Sequence, residues 1–365
     1  MRPAPHVPEV PEAQGVATPP MSATPRRRAR TGTGEDEALR GYWRLVGRHY
    51  RWNVGVNALQ GATALFSMAL FMPETVLTAY MTTLTDSKLL IGLPWALSLF
   101  YWSFSALFYT RKIESCRQRM GVTQALSAPT RLAFTLMAAS AWVAGYGPVV
   151  AIVVFFIGEA LLTLTGGGAA VSWQDLLGRV FPPSKRGWAF GMREGFGHLS
   201  GFCGTAFMLW YLKGRGHDPQ SYMWPFTVGA IVYWLSLVAL WMTREPRWPY
   251  EAPKLPPRRQ YYADMFSVLR TNANFRTYVV VKCLIASTAI FNFGLFVPYA
   301  IEHFGVSQAF AAGVFSAIAL AGRICAAPIA GRLADRKGLK VPLLTGLTLV
   351  AGLLCVGLSL EYFAA

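Results

Sequence analysis

The sequence predicts an all-α protein that crosses a membrane several times. Only 14% of its residues are charged and 53% are hydrophobic, whereas a soluble domain carries about 25% charged residues. The apolar residues stand in long uninterrupted runs, which is the pattern of helices that cross lipid. The basic residues lie almost entirely in or near alternate connections between these runs, as they do on the cytoplasmic side of a membrane protein.

Nine runs reach the roughly 20 apolar residues that a spanning helix needs. Before the first of them, residues 39–45 predict a short amphipathic turn at the membrane surface. The runs cover residues 54–81, 89–110, 122–145, 148–172, 188–212, 223–243, 277–300, 309–331 and 340–362.

The longest internal connection divides the chain. It is rich in proline and arginine, and its apolar residues Tyr262, Met265, Phe266 and Leu269 have the spacing of a short amphipathic helix. We therefore expect four parts. They are a disordered cytoplasmic tail (1–38), a six-helix bundle (39–243), a cytoplasmic linker (244–276) and a partial bundle of three helices (277–365).

The distribution of charge predicts the orientation. With a cytoplasmic N-terminus and alternating helices, all but three of the 34 lysines and arginines fall on or near the cytoplasmic side. The exceptions are Lys88, Lys213 and Arg215. The net charge of +16 is thus dispersed over several loops on one membrane face, which argues against nucleic acid as a partner.

The sequence contains no signature of an enzyme. It has no nucleophile elbow, no HExxH metal motif and no phosphate-binding glycine loop. The glycines at 166–168 are expected to end the fourth membrane helix, which excludes a nucleotide site there. None of the five cysteines has metal-ligand spacing. We therefore expect neither catalysis nor a cofactor.

A sharp motif, GRLADRKGLK, occupies residues 331–340 between the eighth and ninth predicted helices. It resembles the G-x-L-[AG]-D-[RK]-x-G-[RK]-[RK] loop of the major facilitator superfamily, with one departure at Leu339. In that loop the acid can accept hydrogen bonds at a neighbouring helix N-terminus, and the bases hold the loop in the cytoplasm. The residues that carry the resemblance are Gly331, Asp335, Arg336, Gly338 and Lys340.

Two further stretches resemble the family more weakly. Between the second and third helices, Glu114 stands where the acid of the motif belongs, but both glycines are absent. The inner-gate contact is therefore lost there, or is made differently. Residues 181–187, which include Arg186, look like the loop after the fourth helix. The small-residue pairs Gly191/Gly195 and Gly197/Gly201 predict close packing of the fifth helix on a neighbour.

The resemblance implies a secondary transporter of a small solute, working as a monomer in the plasma membrane, which is the inner membrane of a bacterium. The family has twelve helices in two halves of inverted repeats, so a nine-helix chain is expected to be a fragment or a shortened product. The alternative is a membrane scaffold, a sensor or an inactive truncated paralogue that transports nothing.

Glu159 is the first candidate for coupling, because it lies near the middle of the fourth predicted helix. A charged side chain at that depth costs about 2.5–3.5 kcal/mol on insertion scales, so it usually serves a purpose. Glu159 could take up a proton or bind a cationic group. The alternative is a structural ion pair with Arg131 of the third helix.

Four other polar residues are candidates for gating or for substrate binding, and each also has a structural interpretation. Glu74 follows Pro73 and either gates the outer mouth or sits at the interface beside a proline kink. Asn57, Gln60 and Asn292 lie on the first and seventh helices. They either bind substrate or join helices through interhelical hydrogen bonds.

Overall fold

The computed structural model describes residues 33–215 and 218–294 and, beyond them, scattered positions between 305 and 352. The described part is helical, with no strand in it. Its helices are α1 (Thr33–Leu70), α2 (Thr78–Thr82), α3 (Lys88–Ser115), α4 (Met120–Val143), α5 (Pro148–Val180), α6 (Arg186–Leu212), α7 (Met223–Trp241), α8 (Arg258–Thr271) and α9 (Ala273–Gly294).

The first predicted span differs from the structure at its start and at Pro73, inside it. Helix α1 already begins at Thr33, so residues 39–45 continue directly into the span and are not a separate interfacial turn. The helix then breaks before Pro73, because proline has no amide hydrogen and disfavours a helical residue in front of it. Met72 is extended there, with φ −66° and ψ 114°, and a π-helical turn follows over Pro73–Leu77.

Helix α5 runs to Val180, well beyond the predicted end at residue 172. The glycines at 166–168 consequently lie inside the helix, which corrects the expectation that they end it. Packing favours this arrangement: a Cβ on Gly168 would lie 2.5 Å from the Tyr109 ring of α3. The hydroxyl of Ser105 on α3 also accepts a hydrogen bond from the Gly167 amide at 2.8 Å.

Helix α6 packs closely on α1 through some of the predicted glycines. A Cβ on Gly197 would collide with Leu65, and one on Gly204 would lie 2.8 Å from a backbone oxygen of α1. In contrast, nothing lies within 4 Å of a Cβ built on Gly191 or Gly195. The close approach is therefore made at Gly197 of the second predicted pair and at Gly204, and not at the first pair.

An aromatic core joins the other helices. Phe71 stacks on Phe226 of α7 with ring centroids 4.6 Å apart, and Phe134 of α4 meets Phe71 edge-on at 4.8 Å. The hydroxyl groups of Tyr80 and Ser140 are hydrogen-bonded at 3.0 Å. Around this core, α1 contacts α6 and α7, while α5 contacts α3 and α4.

Three described helical stretches are long and apolar enough to cross a membrane: Glu37–Thr82, Pro148–Val180 and Pro219–Trp241. The apolar helical stretch Lys88–Ser98 is shorter. On α5, Val153, Ile157 and Leu164 are each more than half exposed on the outside of the bundle. Such apolar outer faces suit contact with lipid and agree with the predicted multi-pass membrane fold.

Candidate functional site

Glu159 lies deep in the bundle on α5. It is 1% exposed and follows Pro148, the first residue of α5, by about 16 Å at 1.5 Å per residue. That distance is about half the thickness of the hydrocarbon layer. Its neighbour Gly158 brings α5 onto α4, because a Cβ there would lie 2.8 Å from the Ala133 carbonyl oxygen.

A cavity of about 160 Å³ adjoins Glu159. Residues of α1, α3, α4, α5 and α6 and of the kinked segment after α1 line it. Besides Glu159, its polar lining residues are Ser98 and His198, and the Ser98 hydroxyl already donates to the Trp95 carbonyl at 2.7 Å. The walls are mainly apolar and include Met68, Phe71, Met72, Phe134, Met137 and Leu162.

The Glu159 carboxylate oxygen Oε2 is buried and has no hydrogen-bond partner in the part of the chain that the structure describes. The nearby Thr163 hydroxyl donates to the backbone oxygen of Glu159, at 2.9 Å, and not to its carboxylate. An uncompensated buried charge costs several kcal/mol. The arrangement therefore favours a carboxyl group that binds a proton or a cation.

Arg131 does not form the alternative ion pair with Glu159. Its guanidinium turns towards α7, where Nη2 donates to the Ser236 hydroxyl at 2.9 Å and the group lies 4.2 Å from the centre of the Tyr233 ring. Nη1 donates to the Thr130 hydroxyl at 2.9 Å. Arg131 thus joins α4 to α7 and leaves Glu159 facing the cavity.

A second polar cluster lies between α1 and α6. Arg193 is buried against the Trp173 ring, 4.3 Å from its centre, and pairs with Glu194. Glu194 Oε2 lies 3.4 Å from His198 Nε2, so the cluster reaches the cavity that His198 lines. The sequence analysis missed it because Arg193, near the start of the predicted span 188–212, was included with the basic residues of the cytoplasmic side. An arginine–glutamate pair within a glycine-rich apolar helix was the available signal.

The remaining candidates on the membrane helices fall into two groups. Asn57 and Gln60 are buried and join α1 to α6: Asn57 Nδ2 donates to the Ala189 carbonyl at 3.5 Å, and Gln60 Oε1 accepts from Arg193 at 3.3 Å. These contacts match the interhelical role rather than substrate binding. Glu74 and Asn292 lie in helical segments, but their side chains fall outside the described residues.

At the basic end of the bundle, which carries the connections 116–119, 181–185 and 242–257, Glu114 is hydrogen-bonded to Tyr261 of α8. Burial, together with the Glu114 carboxylate, raises the pKa of the Tyr261 hydroxyl. Arg186 donates to the carbonyls of Gly178 and Phe181 and so closes the last turn of α5.

The residues of the sharp motif, Gly331, Asp335, Arg336, Gly338 and Lys340, lie outside the described residues.

Residues 242–257, which we call the strap, cross the basic end. Glu245 accepts hydrogen bonds from the backbone amides of Arg119 and Met120 at 2.9 and 2.8 Å and so caps the N-terminus of α4. Arg117 Nε donates to the Trp248 carbonyl at 2.9 Å. The sequence predicted this connection but none of these contacts.

A comparison with models of protein families identifies a family of membrane proteins. The sequence model of the Major Facilitator Superfamily matches residues 58–364. A comparison with curated proteins finds no match. Among solved structures, a bacterial homologue of the human lysosomal transporter Spinster, in an inward-facing and unoccupied conformation, is similar at 15% identity and a TM-score of 0.41. The match covers 81% of this chain and 64% of the length of that protein.

Proposed function

Because the chain belongs to the major facilitator superfamily, we propose that it is a secondary transporter that carries a small solute across a membrane by alternating access. Family membership confirms the resemblance predicted from residues 331–340 and the all-α membrane fold. It also agrees with the expectation that the protein is not an enzyme. Two helical bundles would rock about a site near the middle of the membrane.

In this proposal Glu159 carries the coupling proton. The single observation behind it is the buried Glu159 carboxylate, whose Oε2 has no partner among the described residues and which adjoins a cavity. A carboxyl group removed from water holds a proton more readily than one in water. Intramembrane carboxylates commonly serve as proton relays in transporters for this reason.

The proposed orientation has a cytoplasmic N-terminus and the basic end of the bundle in the cytoplasm. Its support is the confinement of all but three of the 34 lysines and arginines to one side. The protein would act as a monomer in the plasma membrane. Its partners would be the solute, the coupling proton and the bilayer.

The test compares Glu159→Gln with the wild-type chain in proteoliposomes. A thermal-shift screen of the purified protein first identifies a solute that binds. We expect Glu159→Gln to retain exchange of that solute across the membrane and to lose its accumulation driven by a pH gradient. Glu194→Gln is the matched control, since Glu194 is a nearby carboxylate that already pairs with Arg193 and should retain proton-driven accumulation.

Two outcomes would decide against parts of the proposal. Unchanged pH-driven uptake in Glu159→Gln would contradict the role of Glu159 while leaving transport intact. If the wild-type chain exchanges none of the solutes that bind to it, transport itself is wrong and the non-transporting scaffold or sensor is favoured.

A further inference from the structure

A basic pocket lies where α3 ends against α8. Its volume is about 420 Å³. The basic side chains that line it are Arg111 and Lys112 from the last turns of α3 and Arg258 from the start of α8. Tyr262 of α8 donates to the Phe108 carbonyl of α3 at 3.4 Å, which holds the two helices together around the pocket.

The three cations of the pocket form no ion pair within the described residues. The acidic side chain one turn away, Glu114, is hydrogen-bonded to Tyr261, and its single negative charge is smaller than the positive charge of the three cations. Arg111 uses Nη2 to hold the Pro256 carbonyl at 3.0 Å, yet its Nε is buried without a partner in the described part. Lys112 and Arg258 are exposed. Three cations thus converge on one space that can accept an anion.

Apolar side chains adjoin these cations. Leu107 and Phe108, one turn before Lys112, are 42% and 58% exposed on the outside of the bundle. Phe266 of α8 is also exposed. An inorganic anion would use the three cations alone. A phospholipid would use both features, because its phosphate needs the cations and its acyl chains need an apolar surface next to them.

We propose that this pocket binds an anionic phospholipid of the leaflet on the basic side, with the phosphate among Arg111, Lys112 and Arg258 and the acyl chains along Leu107 and Phe108. Basic pockets between membrane helices on the cytoplasmic side are suited to such headgroups. The bound lipid would fasten α8 to α3 at the membrane surface. This site does not depend on the transport function proposed above.

The test measures binding of short-chain phosphatidylglycerol to the full chain in detergent by native mass spectrometry. The variant Lys112→Gln with Arg258→Gln removes two pocket charges. The control Lys254→Gln with Arg259→Gln removes two exposed charges that do not line the pocket. Each basic residue near an anionic membrane surface strengthens binding about fivefold. We therefore expect the pocket variant, which loses two, to bind the lipid about 25-fold more weakly. The control should lose no more than about twofold at physiological ionic strength.

Short-chain phosphatidylcholine and inorganic phosphate distinguish the ligand classes. We expect both to bind the wild-type chain much more weakly than phosphatidylglycerol. If inorganic phosphate binds as tightly as the lipid, the pocket is a site for a free anion and the proposal is wrong. Equal losses in the two double variants would also overturn it, since general surface charge would then explain binding. All four replaced residues are exposed, so thermal unfolding should be unchanged.

Discussion

The carboxylate in the middle of the bundle and those at its basic end differ in whether they have partners. Glu159 is almost completely buried and keeps Oε2 without a hydrogen-bond partner in the described structure. Glu245, at the basic end, accepts bonds from two backbone amides at the N-terminus of α4, and Asp175 pairs with Arg119. The acids at the basic end therefore hold segments of the chain together, whereas the acid in the middle would destabilise the fold when it is ionised.

The basic end also explains how the loop between α3 and α4 is held without the glycines of the family motif. Arg119 donates to the carbonyl of Ile113 in the last turn of α3 and to that of Cys116 in the loop, and the strap caps the helix that follows. Glu114 contacts Tyr261 of α8 instead. The sequence left two alternatives for the inner-gate contact at this loop, that it is lost or that other residues make it. These contacts favour the second alternative.

The largest expected change in stability tests whether the contacts at the basic end hold the fold together. Arg119→Met removes the partner of Asp175 and two hydrogen bonds to loop carbonyls. Because the Asp175 side chain is 39% exposed, water screens the charge left behind. We therefore expect a loss of about 2–3 kcal/mol in the free energy of unfolding, at the low end for a broken buried pair.

Thermal and chemical unfolding of the purified protein in detergent would measure this loss. Arg247→Met is the control, because Arg247 lies on the strap and is exposed. Equal stability of the two variants would mean that the Arg119 cluster does not hold the basic end together.

A smaller effect is expected at the cap of α4. Glu245→Gln removes the negative charge at the helix N-terminus and keeps one oxygen to accept a bond. We expect a loss of about 1 kcal/mol and faster hydrogen exchange at the amides of Arg119 and Met120. Glu251→Gln, an exposed carboxylate on the same strap, should change neither quantity. Unchanged exchange in Glu245→Gln would show that the cap is not needed.

Within the described residues the sequence predicted the helices well, because long apolar runs mark the part of a helix that lipid surrounds. The predicted spans 309–331 and 340–362 lie largely outside those residues. The sequence missed the extension of α5 to Val180, where Asp175 and Arg179 make the helix polar and its stability comes from contacts with distant segments. Arg179, for example, donates to the Arg117 carbonyl at 2.7 Å.

The candidate site was predictable only in part. The depth of Glu159 follows from counting residues along a helix, so its candidacy needed no coordinates. Whether Arg131 reaches it depends on how α4 is rotated against α5 and α7, and the sequence does not specify that rotation. The same holds for Arg193, which lies inside the predicted helix 188–212. Its packing on Trp173, which buries it, depends on how that helix is rotated against its neighbours.

The smallest expected effect on stability belongs to the middle of the bundle and has the opposite sign. Glu159→Gln keeps the shape of the side chain and removes a carboxyl group whose ionised form no described residue compensates. We expect the free energy of unfolding to stay the same or to rise by up to about 1 kcal/mol, measured beside Asp175→Asn as a carboxylate with a partner. Asp175→Asn should lose stability because it breaks the pair with Arg119. If Glu159→Gln instead loses as much as Asp175→Asn, Glu159 has a structural partner, and the contrast between the two regions no longer supports a role in coupling.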